Sequence, residues 1–244
     1  MNIKKQTDLI FEPVKLDQDY PFTLPDQSEK VIINIESGIN LHGIHFTYSS
    51  EPTLLLYFQG NAKNLQNFLD NHSEILHWNY NVLTFDYRGF GKSTGHIESE
   101  ESMYADSEKI FDYALSLGYT PGNIILYGYS MGTSQAAYLS TKREAKALIL
   151  ESPYSSIAEI GIFGDNAPDF ILNTGQRAKE IDIPTLIIHG ASDDIITVDH
   201  AERIHSNLKT ANKELVIITD GGHGNLKNRD EYSSHVNKFI AGLI

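Results

Sequence analysis

The chain contains no cysteine. Disulfides, thiolate-held zinc and a thiol nucleophile are thereby excluded, and covalent or proton-transfer chemistry falls to hydroxyls, carboxylates, amines and imidazoles. Cations are scarce as well: 19 Lys and Arg against 32 Asp and Glu give a net charge of −13. So acidic a chain has no bulk attraction for a phosphate backbone or an anionic membrane, and neither nucleic acid nor a membrane surface is an expected partner. No apolar run approaches the ~20 residues that cross a bilayer. After Lys4 and Lys5 no hydrophobic segment follows, so neither a signal peptide nor an integral membrane segment is expected, and the location expected is cytoplasmic. Repeats, low-complexity tracts and internal linkers are missing too. At 244 residues the chain reads as one α/β domain over residues 31–244. A polar, extended arm over residues 1–30, broken by Pro13, Pro21 and Pro25, is expected to lie on its surface.

What is present is an alternation of two periods. Val31–Glu36 and Leu41–Thr47, separated by Ser37-Gly38-Ile39-Asn40, resemble an antiparallel hairpin. Thr53–Phe58 is a continuous apolar run, as in a strand covered on both faces. Asn81–Phe85, Ile124–Tyr127, Ala147–Leu150, Thr185–Ile188 and Leu215–Ile218 are further short strands. Helical rhythm appears over Leu65–Trp78, Ser99–Leu117, His200–Leu208 and Asp230–Ala241. In the second of these, Met103, Ile110, Phe111, Ala114 and Leu115 form a core stripe. Strands alternating with helices predict a mostly parallel sheet of about eight strands with helices on both faces, whose chemistry belongs on the loops leaving the strand carboxyl ends.

The loop after Ile124–Tyr127 is Gly128-Tyr129-Ser130-Met131-Gly132. Glycines two residues either side of a serine leave room for a turn too tight for side chains, with the hydroxyl displayed over a helix N-terminus. The motif alone is common; its strand before and helix after give it weight. Gln59-Gly60-Asn61-Ala62, after Thr53–Phe58, turns sharply at a glycine and can point amides over the sheet edge. Gly91-Lys92-Ser93 suggests a phosphate loop, but Asp86 stands where that motif needs a glycine and no helix starts after the lysine, so nucleotide binding is rejected. His189-Gly190-Ala191-Ser192-Asp193-Asp194 offers two adjacent carboxylates, without the further ligands at defined spacing that a metal requires. Glu151 closes a buried strand and is the spare acid. His223, between glycines on the last strand-end loop, adds nothing structural there.

Ser130, Asp193 and His223 follow one another in the chain order nucleophile, acid, base. Together with Leu56-Tyr57-Phe58-Gln59-Gly60-Asn61-Ala62, Phe85-Asp86-Tyr87-Arg88-Gly89-Phe90-Gly91-Lys92-Ser93, Glu151-Ser152-Pro153, His189-Gly190-x-x-Asp193 and Gly222-His223, they make the chain from about Val31 onward resemble the α/β-hydrolase superfamily. It is most similar to the serine hydrolases that include monoacylglycerol lipases, lysophospholipases and protein depalmitoylases. The chain departs from that pattern at Gln59, where a histidine is usual, and at Thr197, where a proline is usual. The resemblance implies an α/β-hydrolase fold with a minimal lid at about residues 152–183. It also implies a Ser130–His223–Asp193 triad with Asp193 rather than Asp194 as the acid, and an oxyanion hole from the Met131 and Asn61 amides.

The function expected is hydrolysis of carboxylic esters or thioesters through an acyl-enzyme, with no cofactor and no metal and with a small acyl ester or thioester as partner. A peptidase or amidase of the same fold, or a non-catalytic binding protein on the scaffold, are the alternatives. Tyr129 and Phe90, with residues of the Ile157–Phe170 stretch, are expected to wall an open, shallow acyl site that favours short and medium chains. Ile157, Ile160, Ile162 and Phe163 are expected to anchor the short lid.

Overall fold

The computed structural model describes residue 7 and residues 9–50, 52–161 and 170–243. Ten strands appear in chain order: β1 (Glu12–Pro13), β2 (Ser28–Glu36), β3 (Ile39–Phe46), β4 (Leu54–Phe58), β5 (Ala62–Lys63), β6 (Asn81–Phe85), β7 (Ile124–Tyr129), β8 (Ala147–Glu151), β9 (Thr185–Gly190) and β10 (Lys213–Ile218). Eight of them form one sheet in the order β10-β9-β8-β7-β4-β6-β3-β2. The β2–β3 and β3–β6 pairs are antiparallel and the other pairs parallel. The helices are α1 (Leu65–Asn71), α2 (Glu100–Ser116), α3 (Thr133–Lys142), α4 (Thr174–Arg177), α5 (Val198–Asn207) and α6 (Asp230–Ala241). The rhythm over Leu65–Trp78 divides in two, because α1 ends at His72 and a 3₁₀ turn runs from Ser73 to Trp78. No helix among the described residues is long and apolar enough to cross a membrane.

Side chains on successive strand residues point to opposite faces, and that period sorts the core into two layers. Leu54, Leu56, Leu126, Leu148 and Leu150 pack with Ile110, Phe111 and Ala114 of α2, Ala136 and Leu139 of α3, and Ile204 of α5. Leu55, Tyr57, Ile125, Tyr127, Ile149 and Ile188 pack on the other face with Phe68 of α1 and Tyr232, Val236 and Phe239 of α6. Strands so covered read as continuous apolar runs for this reason.

A third cluster caps the carboxyl end of the sheet, and the N-terminal arm supplies part of it. Ile10 and Phe11 are buried at 0% and 4% exposure, packed with Phe90, Met131, Tyr154, Ile157 and Phe170. The arm is therefore not laid on the surface along its whole length. β1 pairs with β5 in parallel, Glu12 N–H donates to Asn61 O (3.0 Å), and Asn61 Nδ2 donates to Ile10 O (2.8 Å). Asn64, which caps α1 by accepting from the Gln66 and Asn67 amides, also donates to Val14 O (2.9 Å). Residues 28–30, assigned from sequence to the arm, begin β2 instead. In the lid region, Ile157 and Ile160 are buried and anchor a 3₁₀ turn, Ile157–Glu159, while Ile162 and Phe163 lie outside the described residues.

Candidate active site

The turn between β7 and α3 holds Ser130 at φ +49°, a left-handed conformation that costs a non-glycine residue of order 1–3 kcal/mol. The flanking glycines make the turn possible. A Cβ on Gly132 would sit 2.1 Å from Phe58 O, and one on Gly128 would sit 2.5 Å from Thr133 Cα. Both positions abut backbone, which cannot be displaced without moving β4 or α3.

The loops after β9 and β10 converge on this turn. Ser130 Oγ lies 2.8 Å from His223 Nε2, and His223 Nδ1 lies 2.8 Å from Asp193 Oδ2. An ionised carboxylate only accepts, so Nδ1 carries the proton and Nε2 is left to accept from the serine. Burial by itself would raise the Asp193 carboxyl. Hydrogen bonds from His189 and His223, the imidazole charge and the Ile196 amide outweigh it, and the group stays well below the usual carboxylate range. The Ile195 and Ile196 amides donate to Asp193 Oδ1 (3.0 and 2.8 Å). His189 Nε2–H donates to Ile196 O (2.8 Å) and sits 3.4 Å from Asp193 Oδ2. Asp194, next in the chain, is exposed.

Glu151 is engaged elsewhere. Lys227 Nζ lies 2.7 and 2.6 Å from its two carboxylate oxygens, and Tyr127 O–H donates to it (2.7 Å) while meeting Tyr232 O–H. Both ionic side chains are buried, at 4% and 2% exposure. Lys227 Nζ also stands 4.4 Å over the ring of Tyr129, the residue before the serine. The pair thus joins the loop that carries His223 to the carboxyl ends of β7 and β8. Tyr129 Oη and Ser152 Oγ both approach His223 O at 3.4 Å, adding two long contacts to the same loop.

Gly60 and Asn61 line a cavity of about 180 Å³ together with Tyr129, Ser130 and His223. Gln59 uses its side chain to brace the neighbouring strand, Nε2 donating to Phe85 O (2.8 Å), while its carbonyl accepts from Tyr87 O–H (2.6 Å). Met131 is buried, its carbonyl accepting from Tyr154 O–H (3.3 Å). Tyr129 lines this cavity beside Ser130. Phe90 does not line that cavity: it faces a larger cleft of about 700 Å³ between the arm and the loop after β6, alongside Phe11, Pro13 and Ile97. Lys92, of the rejected phosphate loop, is buried and donates to Tyr20 O (2.7 Å).

Sequence reading passed over Lys227, Tyr57, His72 and the bracing role of His189. Lys227 sits in a polar stretch that carries no local sign of burial, and Tyr57 is one of five consecutive apolar residues of β4. Among the described residues, no group of three or more His, Asp or Glu is placed to hold a metal ion.

The family model described as Serine aminopeptidase, S33 matches residues 51–170. Alpha/beta hydrolase domain-containing protein aho-3 of Caenorhabditis elegans is 31% identical over 207 residues, covering 80% of this chain and 58% of that protein. Alpha/beta hydrolase domain-containing protein 17C of Xenopus laevis is 31% identical over 193 residues, covering 77% and 61%. The chain thus spans about three fifths of the length of these relatives. Among solved structures, an esterase of Pyrococcus furiosus superposes with a TM-score of 0.77 at 19% identity, covering 95% of this chain and 97% of the other. A monoacylglycerol lipase of Paleococcus ferrophilus gives 0.62 at 17% identity, covering 83% and 97%. At these identities the likeness to solved structures is one of fold.

Proposed function

For this chain, which belongs to the α/β-hydrolase superfamily, we propose a serine hydrolase that cleaves carboxylic esters or thioesters through an acyl-enzyme. The observation that carries the reading is the continuous path from Ser130 Oγ through the His223 ring to a buried, ionised Asp193, both links 2.8 Å long. In the first half-reaction Ser130 Oγ bonds to the acyl carbon and its proton passes to His223 Nε2. Asp193 holds the imidazole in the productive tautomer and stabilises its cation. The Met131 and Asn61 amides receive the oxyanion, each worth about 3–4 kcal/mol in comparable sites. The carbonyl then re-forms, the alcohol or thiol departs with the proton from His223, and water attacks by the same route in reverse.

Ester chemistry is favoured over removal of an amino-terminal residue by the character of the cavity. An aminopeptidase must neutralise a substrate ammonium, and no carboxylate lines the space at Ser130 among the described residues. A purely binding role is disfavoured by the complete proton path, which a binding scaffold has no need to keep.

The test is covalent labelling with a small fluorophosphonate, followed by turnover of p-nitrophenyl esters and acyl thioesters over a series of chain lengths. Wild type is expected to label and turn over, and Ser130→Ala to do neither while unfolding at an unchanged temperature. Folded wild-type protein that fails to label, or Ser130→Ala with wild-type turnover, refutes the assignment. The same series tests the expected preference for short and medium acyl chains.

A further inference from the structure

The turn after β4 is held from two directions, and one of the holders is the N-terminal arm. Gln59 is braced by the sheet, its Nε2 donating to Phe85 O (2.8 Å). Asn61 is gripped by the arm instead: its Nδ2 donates to Ile10 O (2.8 Å), and its carbonyl accepts from Glu12 N–H (3.0 Å). Gly60, between them, lies against the nucleophile, since a Cβ on it would stand 3.7 Å from Ser130 Cβ. Fixing the side chain and the carbonyl of Asn61 fixes the direction of its own N–H, the group assigned to the oxyanion.

The grip continues along both chains. Val14 N–H donates to Lys63 O (3.1 Å), and Val14 O accepts from Asn64 Nδ2 (2.9 Å) and from Gly91 N–H (3.0 Å). Lys63 sits at φ +65°, a left-handed conformation that a residue with a side chain keeps only where its surroundings over-determine it. The parallel pairing of β1 with β5 supplies that determination.

The arm is anchored at both ends of this contact. Ile10 and Phe11 are buried in the cluster that holds Met131, the other residue proposed to supply an oxyanion amide. The Phe11 ring meets Phe90 and Phe170 edge-on, with centroids 6.3 Å apart in each pair. Further on, Leu16 N–H donates to Gly91 O (2.9 Å) and Gln18 Nε2 to Lys92 O (3.0 Å). The triad is held by other parts of the chain: Asp193 and His223 take their hydrogen bonds from the loops after β9 and β10 and from the Ser130 turn.

An oxyanion donor works at about 2.7–3.1 Å from the charged oxygen, and a misplacement of ~1 Å costs on the order of 10²-fold in rate. An element that sets the direction of one such N–H governs turnover without touching substrate. We propose that residues 10–14 of the arm are the positioning element of the oxyanion hole, acting through Asn61, so that the enzyme turns over only with the arm seated. The inference rests on Ser130 being the nucleophile and the Asn61 amide an oxyanion donor. Undocking the arm switches off the chemistry and leaves the triad assembled.

Two substitutions test this. Glu12→Pro removes the N–H that meets Asn61 O and puts a ring carbon in its place. Asn61→Ala removes the Nδ2 tie and keeps the N–H of residue 61. With p-nitrophenyl butanoate, well below the melting temperature, kcat is expected to fall about 10- to 100-fold while KM stays within about threefold. Affinity for a trifluoromethyl ketone, whose hemiketal oxyanion occupies the same hole, is expected to fall in parallel. The acid limb of kcat/KM against pH, set by His223, is expected to stay in place. Loss of packing alone would lower the melting temperature and leave the ketone affinity of the folded protein unchanged. Wild type supplies a measurement that needs no variant: bound ketone is expected to slow hydrogen exchange in the peptide spanning residues 10–16, because coupling between two sites is reciprocal. A kcat within twofold of wild type in both variants, a ketone affinity that does not fall with kcat, or exchange that the ketone leaves unchanged overturns the proposal. Fluorophosphonate labelling of wild type separates the two levels of the reading. Labelling together with any of these outcomes refutes the role of the arm alone, whereas absence of labelling refutes the nucleophile and the arm with it.

Discussion

Replacing Lys227 by methionine removes the ammonium and keeps most of the side-chain volume, so it isolates the charge. In the folded protein Glu151 would be left buried at 2% side-chain exposure, with the Tyr127 O–H still donating to it but no cation beside it. Breaking a buried ion pair from one side costs about 3–5 kcal/mol, because the remaining charge stays desolvated without its partner. For a chain of this size each kcal/mol moves the melting temperature by about 2–4 °C, so a fall of roughly 6–20 °C is expected. Replacing both partners by apolar groups of similar volume, Lys227→Met with Glu151→Leu, removes the orphaned charge. The double variant is expected to recover most of the lost stability, since such swaps are often neutral or better. Its activity is not expected to recover, because the ion pair that ties the His223 loop to β8 is then gone and only the long Ser152–His223 contact remains. The assays are urea denaturation, read for the midpoint at constant slope, and kcat and KM on a p-nitrophenyl ester. A single variant that loses under 1 kcal/mol, or a double variant no more stable than the single, would refute the reasoning that the pair is an obligate buried unit.

Three further outcomes follow from the same geometry. Asp193→Asn is expected to lower kcat by about three to four orders of magnitude, because the amide favours the wrong imidazole tautomer; Asp194→Asn, at an exposed site, should cost little, and steady-state kinetics on the two variants decides between them. His72 is held at about 4 in the folded chain against an ordinary 6.5, so the unfolded state binds the extra proton between those values and stability falls on acidification across that window. The wild type should therefore lose roughly 3 kcal/mol more than His72→Leu between pH 7 and pH 4, measured by urea denaturation at each pH. Gly132→Ala places a methyl 2.1 Å from Phe58 O, and is expected to depress the melting temperature and the rate of fluorophosphonate labelling together.

Much of this molecule is readable along the chain because local pattern and tertiary role coincide. The apolar runs of β4, β7 and β8 are continuous because helices cover both faces of the sheet, and the rhythm of α2 repeats where one side of a helix meets that sheet. The turn at Ser130 announces itself because its constraint is steric and falls on residues two positions away. The order of Ser130, Asp193 and His223 is legible because each sits at the end of a strand whose own signal is strong.

Other features depend on which distant segments meet, and no local period encodes that. The choice between Asp193 and Asp194 is made by the loop's path, which turns one carboxylate towards two imidazoles and two amides and leaves the other in water. Glu151 ends a buried strand and so calls for a partner, but that the partner is Lys227, 76 positions away, shows only once the chain is folded. The polar arm reads as a surface segment, yet Ile10 and Phe11 complete the cluster over the sheet and their backbone ties down Asn61. One run of three apolar residues, Leu9-Ile10-Phe11, in a polar stretch gives no period, so only the closing of the chain over the sheet end shows that two of them are core. Strand and turn are written in neighbouring residues; the partner of a buried charge or hydroxyl is decided by the packing of elements far apart in sequence, and there only the tertiary structure can supply it.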